Sequence, residues 1–197
     1  LFENQSYFND DISMWDVSNV EAMTGMFYYA TAFNQSLQYW DTRNVAYMCM
    51  MFYEAVAFNQ PVDCWNVANV LDMSNMFSHA TSFNQPLNSW NVSSVRLMPC
   101  MFEHALAFNQ PLDNWDVRNV ADMSYMFAYA GSFNQSIQKW DMQFVRNIKY
   151  MFEQAVSFNQ PLDDWVVSNV SNMSHLFDHA LSFNQPLEKW DMRNVEE

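Results

Sequence analysis

At 197 residues the chain has room for one or two domains, and half of its residues are apolar, enough for a sizeable core and against wholesale disorder. A formal net charge of −14 argues against a nucleic-acid partner, which needs clustered Lys and Arg, and favours basic partners, divalent cations or plain solubility. No apolar run approaches the roughly 20 residues of a membrane span, so membrane insertion is not expected, and no signal peptide is visible.

One phrase recurs along the whole chain. Phe-Asn-Gln stands at 33–35, 58–60, 83–85, 108–110, 133–135, 158–160 and 183–185, with a looser Phe8-Asn9-Asp10 ahead of them. All eight tryptophans, from Trp15 to Trp190, share the same 25-residue spacing, and a comb of phenylalanines runs from Phe2 to Phe177. Uninterrupted self-similarity at this period predicts a solenoid whose units bury their apolar positions against one another. Residues 1–197 are therefore expected to form a single repeat domain of about eight 25-residue units. The chain opens at Leu1 and stops at Glu197 within a repeat, which reads as an excerpt of a longer array.

Within each unit the pattern predicts two elements. Leu112-x-x-Trp115-x-Val117 alternates like a short strand, with Asp116 turned outward. Val120, Met123, Met126, Phe127 and Ala130 then follow at offsets that suit one face of a short α- or 3₁₀-helix. Phe-Asn-Gln-Pro turns the chain, because proline bars further helix. Trp40, Trp65, Trp90, Trp115, Trp140 and Trp165 are expected to form a ladder in the core. Asn34, Asn59, Asn84, Asn109, Asn134 and Asn159 are expected to form a second ladder that satisfies loop backbone. The predicted class is thus an α/β solenoid, a right-handed coil with one parallel strand and one helix per repeat.

The unit V-x-x-M-x-x-M-F-x-x-A-x-x-F-N-Q-x-L-x-x-W-D-V, carried whole by residues 120–145, resembles the BspA-type leucine-rich-repeat region. It is most similar to the 25-residue variety found in surface proteins of mycoplasmas and other bacteria and in large algal families. The resemblance implies a leucine-rich-repeat-like coil with parallel strands lining one face. It also implies export or a cell-surface location, and attachment or protein interaction without a shared chemistry. Where ordinary leucine-rich repeats write L-x-x-L-x-L, this chain writes L-x-x-W-x-V.

The outward positions hold the candidate binding residues. Asp16, Asp41, Asp116, Asp141 and Asp191 occupy one column, with Arg43 and Arg118 two residues beyond Asp41 and Asp116. Adjacent carboxylates there form a weak candidate for Ca²⁺, and the interruptions at Asn66, Asn91 and Val166 favour hydrated surface groups. His79, His104 and His179 share another position, where two stacked imidazoles suit zinc; no cysteine or carboxylate column completes a tetrahedral set, so they read as surface histidines. Cys49, Cys64 and Cys100 lie in three different positions, which excludes a disulfide-built domain and marks them as small packed hydrophobes. Asn-x-Ser triplets begin at Asn4, Asn34, Asn91, Asn134, Asn169 and Asn172; Asn172, in a varied position, is the best glycan candidate among them.

No catalytic constellation or phosphate-cradling glycine loop stands out, so no enzyme and no resident cofactor are expected. The expected role is a noncatalytic scaffold that binds a protein, or a glycan, through its strand face. The alternative is a structural spacer or a subunit that stacks on neighbouring copies.

Overall fold

The computed structural model describes residues 1–196. The chain winds in coils of 25 residues, each laid on the one before. Parallel bridges mark the stacking register, Ala22 to Tyr47, Tyr47 to Asp72, Asp72 to Leu97, Leu97 to Asp122, Asp122 to Asn147 and Asn147 to Asn172.

The expected α/β architecture is not what forms. Among the described residues there is no helix, and pairing between coils is confined to isolated bridges instead of continuous strands. Residues 120–130 show why. Tyr125 and Tyr129 take left-handed φ values of 57° and 58°, which no α-helix accommodates. The N–H groups of Met126, Ala128 and Ala130 close tight turns onto the carbonyls of Met123, Tyr125 and Phe127. The alternate N–H groups, from Met123, Tyr125, Phe127 and Tyr129, cross to Asn147, Lys149, Met151 and Glu153 of the next coil. Half of the backbone donors are thus spent locally and half between coils, so the i−4 ladder of a helix has no donors left to build it. The three-residue spacing of apolar positions is the period of these turns.

The predicted strand is likewise a pair of turns. Trp115 donates its N–H to Leu112, and Val120 donates to Val117, so each return of an apolar side chain to the interior is made by a turn. The coil then bonds backwards, with Ala121 donating to Arg96. The structure therefore replaces one strand and one helix per repeat with consecutive tight turns.

The interior holds columns of identical side chains. Phe27, Phe52, Phe77, Phe102, Phe127 and Phe152 are fully buried, and successive rings stack at centroid separations of 5.3–5.8 Å. A second column, from Phe33 to Phe158, lies against the first, with about 4 Å between the two rings of one coil, as for Phe102 and Phe108 at 4.0 Å. Trp40 to Trp165 form the third, 2–3% exposed, with successive indoles stacked at 6.3–6.5 Å. Each phenylalanine or tryptophan hides on the order of 150–250 Å², and a single coil cannot cover both faces of a ring. Stacking supplies that cover.

Candidate functional site

Polar groups that the turns would leave unpaired are met by side chains from a neighbouring coil. The backbone N–H of each asparagine from Asn34 to Asn184 donates to the Oδ1 of the asparagine 25 residues earlier, at 2.8–3.0 Å. Gln85, Gln110, Gln160 and Gln185 reach the same asparagines through Nε2. Every indole Nε1 from Trp40 to Trp190 donates to a carbonyl 28 residues earlier, at 2.9–3.1 Å. A further asparagine column, not singled out in the sequence, does the same outside: Asn44, Asn69, Asn119, Asn169 and Asn194 donate Nδ2 to carbonyls of the preceding coil at 2.7–2.8 Å. Its signal is an Asn-Val pair four residues after most of the tryptophans, and it lapses at Ser94 and at Phe144, which is 53% exposed.

The acidic column has a local structural task. Asp16, Asp41, Asp116, Asp141 and Asp191 each accept, through Oδ1, the backbone N–H two residues on, at 3.0–3.3 Å. Asn66 and Asn91 do likewise, which explains why Asp and Asn exchange freely there. Arg43, Arg118 and Arg193 pair with the aspartate of their own coil at 2.6–2.8 Å. The Arg43 guanidinium holds the Asp41 carboxyl below the usual carboxylate range, and Arg193 holds Asp191 down at about 2. Among the described residues no three of these carboxylates converge; the one convergent group of three lies elsewhere.

Beside this column the outward positions differ from coil to coil. Gln38 and Tyr39, Asp63 and Cys64, Asp113 and Asn114, Gln138 and Lys139, and Asp163 and Asp164 occupy equivalent places. Shallow depressions open among them, one lined by Gln38, Tyr39, Pro61, Asp63 and Cys64, another by Gln138, Lys139, Asp141, Asp164 and Val166. Lys189 bridges Asp163 and Asp164 at 3.0 and 2.8 Å, and hydrogen bonds to Asp164 and then Asp163 push its ammonium up to about 12. Asn172 accepts from the N–H and hydroxyl of Ser174. Cys49, Cys64 and Cys100 are free thiols, and burial pushes Cys100 up to about 12.

His79 and His104 stack face to face with centroids 4.2 Å apart. Glu103, adjacent to His104 in sequence, brings a carboxylate to both. One carboxylate thus stands beside the two imidazoles, making three donors where a tetrahedral set needs four. His179 stands apart from them and pairs with Asp178, as does His175.

A family profile described as "Mycoplasma protein of unknown function, DUF285" matches residues 1–114 and again 101–197, together the whole chain. No curated protein matches it.

Proposed function

Since the chain belongs to the DUF285 family of repeat proteins, which is the BspA-like repeat family taken broadly, we propose that it is a noncatalytic solenoid scaffold. Its acidic outer face recognises a basic protein surface, most simply outside the cell. The observation that carries this reading is the division of labour within each repeat. Inward and turn-capping positions repeat nearly unchanged, while neighbouring exposed positions vary among Gln, Asp, Asn, Lys, Tyr and Cys. Varied side chains on a rigid, repeated frame are how repeat proteins distribute specificity. The net charge of −14 favours a cationic partner and speeds its approach.

The turn caps dictate the test. Replacing Asp41, Asp116 and Asp141 together by Asn keeps the Oδ1 acceptor, as Asn66 and Asn91 do naturally, and removes only charge. The triple variant is expected to fold normally and to lose at least tenfold in affinity for a partner captured by the parent chain. Undiminished capture overturns the acidic-face reading.

A second reading, a spacer or complex-docking subunit, draws on the like-on-like stacking of successive coils, whose rings lie one over the next. Self-association rising with concentration in sedimentation velocity supports it; a strictly monomeric chain counts against it.

A further inference from the structure

We propose that His79, Glu103 and His104 form a binding site for a zinc-class divalent cation. One ligand atom from each residue lies within 4.8 Å of the other two, and among the described residues no other group of three His, Cys, Asp or Glu converges in this way. Two imidazole nitrogens and one carboxylate oxygen are a donor set suited to zinc and its neighbours in the first transition row, while calcium and magnesium prefer oxygen alone. Three protein donors leave a further coordination position for water or for a side chain of a bound partner.

The frame is held before any ion arrives. His79 donates its backbone N–H to the Glu103 carbonyl at 2.7 Å, and His104 donates to Ala128 at 2.8 Å, so the residues are tied across two coils. Both histidines sit at left-handed φ, 58° and 53°, in a stretch where backbone donors alternate between turn and neighbouring coil. The Glu103 carboxylate accepts from the Ser78 hydroxyl at 3.1 Å, which anchors it on the His79 side. The Tyr129 ring covers His104 from the far side at 4.2 Å. Bonds of about 2.0–2.2 Å require donors roughly 3.4 Å apart, so the three must draw in from their present separation. All three are only half-buried, which leaves room for χ rotation without moving the backbone.

Two observations set this cluster apart from ordinary surface histidines. His104 Nδ1 is shielded from water yet has no hydrogen-bond partner, an arrangement that costs free energy unless some group meets it. In addition, the Glu103 carboxylate stands against both imidazoles, where its charge offsets that of a bound cation. The contrasting cluster, His175, Asp178 and His179, has both imidazole Nδ1 atoms already engaged by the single carboxylate.

The site is independent of the scaffold reading and fails or stands separately from it. Zn²⁺ titrated calorimetrically into chelator-treated protein is expected to bind at one ion per chain. The chain's own repeats supply substitutions that the coil tolerates: His79→Gln as at Gln154, Glu103→Ala as at Ala128, and His104→Tyr as at Tyr129. Each is expected to keep the parent circular dichroism and to weaken Zn²⁺ binding at least tenfold, while His175→Tyr with His179→Gln leaves it unchanged. Co²⁺ in place of zinc is expected to give visible bands in the parent that vanish in His104→Tyr. Absence of saturable binding, binding that survives all three single substitutions, or binding lost with His175 and His179 overturns the proposal.

Discussion

Two stacks of rings climb the molecule at the same 25-residue interval, one inside and one outside. The inner stack is phenylalanine at every level from Phe27 to Phe152, fully buried, with each ring over the next. The outer stack runs through His79, His104 and Tyr129, half exposed, and its equivalent positions also accept Glu54 and Gln154. The backbone presents both columns equally well. What differs is the environment: inside, a change of volume leaves a void that the close-packed neighbours cannot fill; outside, water fills whatever the side chain vacates. Uniformity within a column therefore reports packing demand, and variety reports a surface on which binding chemistry can arise.

The sharpest test of this contrast sets Phe102→Ala against His104→Ala in the same coil. The first should lower unfolding free energy by about 3–5 kcal/mol, and the second by under about 1 kcal/mol, as read from urea denaturation. Equal losses would break the comparison. Next in size is Trp115→Phe, which takes the indole donor from the Leu87 carbonyl but leaves it the Trp90 N–H, and should cost about 0.5–1.5 kcal/mol beyond the lost volume. Asn84→Ala removes the acceptor for the Asn109 N–H and for Gln110 Nε2 and should cost about 1–2 kcal/mol, while Asn84→Asp keeps an acceptor and should cost less. The smallest effect is on the outer face. Asp191 should titrate near pH 2 by carboxyl carbon NMR, and Arg193→Ala should return it toward 3.8. The sign follows from a folded pKa below the ordinary value: the pairing is complete above pH 3.8 and is lost as pH falls through about 2. The Arg193 side chain lies in solvent, so a global stability change of any size on Arg193→Ala would blur the inner and outer distinction.

Much of the interior was legible, because Phe, Trp, Met and Ala columns at a fixed interval can only be core, and the structure buries them. The local conformation was not. A three-residue apolar spacing fits a helix and a run of tight turns alike, and the residues that decide between them carry no mark. Left-handed φ ordinarily shows itself as glycine, yet here it falls on Met50, Tyr125, Tyr150 and His104, with Gly25 and Asn75 as hints in one column. Those positions are stabilised by hydrogen bonds to the next coil, a tertiary effect that propensity does not register. The same fact hid the relation of Glu103 to the histidines. Neighbours along a strand point apart and neighbours along a helix diverge, so Glu103 and His104 read as unrelated until the left-handed turn brought them to one side. The aspartate column was visible as acidic, whereas its turn-capping task is disclosed by Asn66 and Asn91 standing in for it.

Because every joint uses the same few bonds between residues 24 to 28 apart, no joint protects another from pulling along the stack. Stretched from its two ends, the molecule should shed one coil at a time. Each release should lengthen the thread by roughly 8 nm, given about 3.3–3.6 Å per extended residue, as a row of nearly equal teeth in a force trace.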